Sequence, residues 1–131
     1  MPRVLVVDDQ PEVRTTISIM LRMQRYEVVE AASAASALVL FEQGSFDLAI
    51  IDMFLQDSNG SDLIAALRAR SPGLLVVAIS GMAALDAMPE AAALSDVARL
   101  PKPFRPQDLM RAIEAARGAH RHSAEAVMAA E

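Results

Sequence analysis

Asp8, Asp9, Asp52, Ser80 and Lys102 are the residues whose types and positions could do chemistry together. Asp52 closes the apolar run Leu48-Ala49-Ile50-Ile51 and precedes a polar loop, Gln56 to Gly60. Asp8 and Asp9 close the run Arg3 to Val7, Ser80 follows Leu74 to Ile79, and Lys102 follows Val97 to Leu100. Carboxylates gathered in one place repel one another, and each becomes harder to ionise. A cation must resolve this, either a metal or the Lys102 ammonium. Hard oxygen ligands, few in number, suit Mg2+, which keeps several waters and accepts a phosphate oxygen. A carboxylate is also a nucleophile toward phosphoryl groups, giving an aspartyl phosphate. Such transfer is catalysed mostly by positioning and charge neutralisation. Mg2+ and the Lys102 ammonium can supply the charge, and the Ser80 hydroxyl can donate to a phosphoryl oxygen. The residue types fit phosphoryl transfer onto Asp52.

These residues sit at the ends of a repeating pattern. Arg3 to Val7, Tyr26 to Ala31, Leu48 to Ile51, Leu74 to Ile79 and Val97 to Leu100 are short apolar or β-branched runs. Runs of this length bounded by polar turns predict strands, most of them buried on both faces. Pro11 to about Gln24 repeats Val13, Ile17, Met20 and Leu21 at helical spacing, with Pro at the first helical position. Ser33 can cap a second helix whose apolar face is Leu38, Val39 and Phe41, stopped by Gly44. Asn59 or Ser61 opens a third, through Leu63, Ile64 and Leu67. Ala83 to Leu94 is Ala-rich but contains Pro89, so a helix there starts late, kinks or is short. Arg105 to about Gly118 is the last helix, with Leu109, Met110, Ile113 and Ala116 facing inward. Residues 119–131 either extend it or form a loose tail.

Five strands alternating with five helices predict an α/β fold, a doubly wound five-stranded parallel sheet with right-handed crossovers. All strand ends then share one edge, where ligands bind in open parallel sheets. Scattered polar residues would not choose the same end of four strands. A chain of 131 residues suits one domain. Apolar residues make up 53% and aromatics only 4%, so the core is aliphatic and Met-rich. The net charge of −5 argues against phosphate-driven nucleic-acid binding. The absence of cysteine removes disulfides, thiolate zinc sites and cysteine nucleophiles. No signal peptide and no membrane-spanning run is present, which predicts a cytoplasmic protein with no membrane partner.

With these residues in place, the chain resembles a response-regulator receiver domain, the module phosphorylated by histidine kinases in two-component signalling. The likeness covers about Arg3 to Arg117. It rests on an acid pair after the first strand (Asp8, Asp9), an Asp after the third (Asp52), a Ser after the fourth (Ser80) and Lys102-Pro103 after the fifth. It implies sheet order 2-1-3-4-5 with the site at the crevice between the first and third strands. It implies Asp52 as phosphoacceptor, and Mg2+ held by Asp8, Asp9, Asp52 and the backbone carbonyl of Phe54. Ser80 and Lys102 would bind the phosphoryl group, and the Lys102–Pro103 bond would be cis. The implied domain is residues 1–118, with 119–131 as an extension or tail. The implied donor is a histidine kinase or phosphotransfer protein. The implied readout is an output protein or a second copy, met through the fourth helix, fifth strand and fifth helix. Such a domain is not a turnover enzyme; it catalyses only its own phosphorylation and dephosphorylation.

Several positions depart from the family pattern. Leu55-Gln56 stands where Met-Pro is common. Arg99 stands at the aromatic switch position, and a guanidinium does not bury as a ring does without a partner. Phe54 and Met82 flank the phosphoryl position and are both apolar, which predicts hindered attack by water and a long-lived phosphoryl state. Asp57 is expected as a solvated turn residue, Glu12 as compensation of a helix dipole, and His120 and His122 as tail residues. The alternative function is a constitutive, phosphorylation-independent interaction module with this fold. A phosphatase would need an Asp-x-Asp pattern at the first strand, which VVDDQ lacks. A flavin-binding relative would need a Ser/Thr-rich phosphate loop after that strand.

Overall fold

A computed structural model describes residues 2–81 and 96–129. The expected helix from Ala83 to Leu94, with Pro89, and the flanking residue Met82 lie outside the described residues. The described elements are β1 (Arg3–Val7), α1 (Pro11–Met23), β2 (Glu27–Ala31), α2 (Ala34–Glu42), β3 (Leu48–Asp52), α3 (Gly60–Arg70), β4 (Leu75–Gly81), β5 (Ala98–Lys102) and a C-terminal helix, here α4 (Pro106–Ala129). The strands form one parallel sheet in the order β2-β1-β3-β4-β5.

β1, β3 and most of β4 are buried on both faces, as their unbroken apolar runs require. Successive side chains feed opposite cores. Leu5, Val7, Ala49 and Ile51 pack on the side of α2 and α3. Val4, Val6, Leu48 and Ile50 pack with Ile17 and Leu21 of α1 and with Leu109 and Ile113 of α4. Each fully buried Leu or Ile contributes roughly 1.5–3 kcal/mol relative to exposure, so the central strands are held rigidly from both sides.

Local chemistry sets the ends. Pro11 starts α1. The helix closes in a two-bond motif, with Arg25 N–H donating to Arg22 O and Tyr26 N–H to Leu21 O. That motif needs a left-handed residue, usually Gly; here Arg25 takes it at φ 68°. Ser33 and Asn59 cap α2 and α3, accepting from Ser36 N–H and Asp62 N–H.

Two expectations change. Val39 is 57% exposed, and α2 instead buries Ala34, Ala37 and Phe41. Val39 stands two residues from both Ala37 and Phe41, about 200° round the helix from each, and so faces away from the sheet. β5 continues to Lys102 rather than ending at Leu100, because an edge strand tolerates Pro101. Met110 faces inward as expected, half-buried against the core on the α1 and α4 side, with Ala112 also buried beside Ile113. Beyond Gly118 the C-terminal helix continues to Ala129, the first of the two forms expected for that stretch.

Candidate functional site

Register alone collects the site. Val7 pairs with Ile51, so Asp8 follows β1 at the level of Asp52. Asp52 pairs with Ile79, which puts Ser80 one step beyond it, and Gly81 pairs with Lys102. All lie at the carboxyl edge of the sheet. Asp8 is fully buried, and Asp52 and Ser80 are each 5% exposed. Lys102 stands two strands from Asp52, a span of about 10 Å at the usual strand spacing. Its four-carbon stem closes that distance.

Asp52 is held on both oxygens. Phe54 N–H donates to Oδ1 at 3.0 Å, and Lys102 Nζ donates to Oδ2 at 3.4 Å. Asp8 Oδ1 accepts from Gln10 N–H at 2.9 Å. Lys102 Nζ lies 3.1 Å from Asp8 Oδ2, but that buried oxygen has no directed hydrogen bond. The contact is an ion pair, and no other donor reaches that oxygen among the described residues. Burial pushes the Asp52 carboxyl above the ordinary carboxylate range; the Phe54 N–H opposes this and Asp8 adds to it. Burial would lower the Lys102 ammonium, yet Asp8 and Asp52 beside it hold it above the ordinary lysine range.

Asp8, Asp9 and Asp52 each offer an oxygen, all within 4.8 Å of one another. Three carboxylate oxygens this close make a donor set that fits a small hard cation. Lys102 is the only lysine in the chain, against eleven arginines. A compact ammonium can sit between two carboxylates where a planar guanidinium would demand a bidentate fork. The Lys102–Pro103 bond is cis.

Behind Asp52 the loop is tight. Gly60 N–H donates to Met53 O at 2.8 Å, and Leu55 N–H to Ser58 O at 3.2 Å. A Cβ on Gly60 would stand 2.6 Å from the Met53 Cα and 3.0 Å from Asp52 O. The Phe54 ring, two residues on, is 55% exposed. Arg99 is exposed on β5.

Two residues matter that the sequence did not mark, Arg14 and Gln10, and a third, Asp57, has a role other than the one expected. Arg14 Nη1 donates to the Asp8 carbonyl at 2.7 Å and so pins the acid loop. Gln10 Oε1 accepts from Lys102 Nζ at 3.2 Å. Asp57 is no free turn residue: its Oδ1 and Oδ2 accept from Ala34 N–H and Ala35 N–H at 3.0 and 3.1 Å. Those are orphan donors of the first turn of α2, which has no acid of its own. The two bonds hold the Asp57 carboxyl below the ordinary range. Only the poor capping type at position 10 was visible beforehand.

The family profile described as response regulator receiver domain matches residues 4–114. The alginate biosynthesis transcriptional regulatory protein AlgB of Pseudomonas aeruginosa is 34% identical over 107 residues, covering 82% of this chain. The chain spans only 24% of that relative's length. The response regulator receiver protein CpdR of Brucella abortus is 29% identical over 87% of this chain and 95% of its own. Among solved structures, the chemotaxis response regulator CheY4 of Vibrio cholerae has a TM-score of 0.79 at 26% identity, over 88% of this chain and 98% of its own. The receiver domain of the hybrid histidine kinase CckA has a TM-score of 0.72 at 30% identity, over 87% and 97%.

Proposed function

This chain belongs to the response-regulator receiver domain family, and from that membership we propose that Asp52 is its phosphoacceptor. The observation that carries the reading is the placement of Asp52: a carboxylate ending the central buried strand, with Asp8 and Lys102 against it. The donor is a histidine kinase or a phosphotransfer protein. An Asp52 carboxylate oxygen attacks phosphorus. The new P–O bond forms as the P–N bond to the donor imidazole breaks, and the electron pair returns to that nitrogen. The Phe54 N–H holds one Asp52 oxygen and so aims the other. Lys102 turns from Asp52 to a phosphoryl oxygen, and the Ser80 hydroxyl donates to another. Asp8, Asp9, Asp52 and the Phe54 carbonyl would hold Mg2+, which supplies charge neutralisation for the transferring group.

The domain proper is residues 1–118, with 119–131 as an extension of α4. It works in the cytoplasm and catalyses only its own phosphorylation and dephosphorylation. No helix among the described residues is long and apolar enough to cross a membrane. Phosphorylation adds charge at one strand end and changes the face formed by β5 and α4. That face meets an output protein or a second copy. With a net charge of −5 the domain itself does not contact nucleic acid. The phosphorylation-independent alternative gains no support from a site this complete.

Intact mass after incubation with acetyl phosphate tests the reading. A Mg2+-dependent gain of one phosphoryl group that is lost in Asp52→Asn is expected. No gain on folded wild-type protein would overturn it. The exposed Phe54 ring shields the phosphoryl group from water, so Phe54→Asn should lose that mass severalfold faster after the donor is removed.

A further inference from the structure

Gln10 occupies the N-cap position of α1 and does not cap it. Good caps carry a short side-chain acceptor, as Ser, Thr, Asp and Asn do, and Gln is not among them. Its side chain makes no capping bond. It reaches instead across 92 positions of sequence, where its Oε1 accepts from Lys102 Nζ at 3.2 Å. Its backbone N–H donates to Asp8 Oδ1 at 2.9 Å. One residue thus touches both the buried acid and the ammonium. Its root is fixed on two sides, by Pro11 at the helix start and by Arg14 on the Asp8 carbonyl.

We propose that Gln10 is a positioning residue whose side-chain amide oxygen holds the Lys102 ammonium over the Asp8–Asp52 pair. The inference rests on the phosphoacceptor reading for its consequence, though not for its geometry. A lysine side chain is among those that lose most rotamer entropy when fixed. Two carboxylates hold it here, and both are also ligands that a bound cation would share. A third acceptor outside that competition keeps the ammonium in place. It must be neutral, because an acid there would add a further negative charge to an edge already in surplus. An amide meets both demands, and a capping Asp or Ser is too short to reach. When a phosphoryl group arrives on Asp52, Lys102 can exchange one carboxylate for a phosphoryl oxygen without leaving its third contact.

The single lysine makes a direct test possible, since 15N-lysine labelling yields one ammonium signal. In the resting protein, Gln10→Ala should speed hydrogen exchange of that ammonium by about threefold or more, as expected for losing a hydrogen bond to a charged group. Gln10→Glu, which keeps the acceptor, should leave exchange slow. Gln10→Ala should also slow phosphoryl uptake from acetyl phosphate by roughly fivefold. It should leave the Mg2+ dissociation constant, read by calorimetry, within about twofold of wild type. In a Lys102→Ala background the same substitution should change the rate no further. Unchanged ammonium exchange, or an equal slowing in the Lys102→Ala background, would overturn the proposal. Faster exchange in Gln10→Ala together with no uptake by wild type would leave the positioning contact standing and remove the phosphoacceptor reading instead.

Discussion

The two edges of the sheet hold charge in opposite ways. At the amino edge Arg3 meets two carboxylates through separate groups, a hydrogen bond from its backbone N–H and an ion pair from its guanidinium. Arg3 N–H donates to Asp47 Oδ2 at 2.8 Å, and Arg3 Nε lies 3.5 Å from Glu27 Oε2. The same guanidinium lies 4.6 Å from the centre of the Phe46 ring, which stacks on Phe41. At the carboxyl edge Asp8 and Asp52 share one ammonium, with Asp9 close by. One edge is arranged for stability. The other keeps a surplus of negative charge that relaxes only when a cation or a new partner arrives. The core between them is continuous, so the difference comes from the edge residues alone.

The largest contrast should come from the same substitution at each edge. Gly60→Ala drives a Cβ into the Met53 backbone, which cannot move without shifting Asp52. A loss of about 2–3 kcal/mol is expected by urea denaturation, together with weaker Mg2+ binding. Gly44→Ala meets only the end of the Arg3 side chain, at 2.1 Å. That end can swing aside, so the loss should be about 1 kcal/mol or less, with Mg2+ binding untouched. Equal losses would mean that the carboxyl edge is no more constrained than the other.

Changing a carboxylate to an amide at each edge should give opposite signs. Asp47→Asn weakens the bond from Arg3 N–H, for a loss of about 1 kcal/mol. Asp52→Asn removes a buried charge from a repulsive group and should raise the melting temperature by a few degrees. The sign follows from linkage. A carboxyl whose pKa is raised by folding keeps its proton in the folded state after the unfolded chain has released it. Stability therefore falls as pH rises from the ordinary carboxylate value through the raised one. Asp52→Asn should abolish that fall. A destabilised Asp52→Asn would break the comparison.

The smallest effect concerns Asp57, which joins the loop behind Asp52 to α2. Its pKa is lowered by the Ala34 and Ala35 N–H groups, so its contribution is present above the ordinary carboxylate value and lost as pH falls through the lowered one. Asp57→Asn should therefore flatten the loss of stability below about pH 4, read by denaturation at a series of acidic pH values.

Much of this was legible in the chain. Five short apolar runs, four of them leading into a polar residue at the same end, were enough for the fold class, and the likeness carried by Asp8, Asp9, Asp52, Ser80 and Lys102-Pro103 supplied the strand order. Those signals are local: strand burial shows in composition, and the carboxyl edge follows from parallel pairing. Errors came where a local pattern allows two faces. Val39 lies beside the residues of α2 that are inward, and helical spacing alone does not choose between neighbours. Pro101 looked like a strand end because nothing local says that β5 is an edge strand.

By itself the sequence determined where the buried runs lie and which chemical types meet at one edge, because period and polarity act over a few residues. Tertiary structure alone decided who touches whom. Gln10 with Lys102, Asp57 with the start of α2, Arg14 with the Asp8 carbonyl and Arg3 with Phe46 are pairings set by strand register and helix placement. A side chain's type limits the bonds it can make. Its partner depends on which distant backbone the packed core brings within about 3 Å.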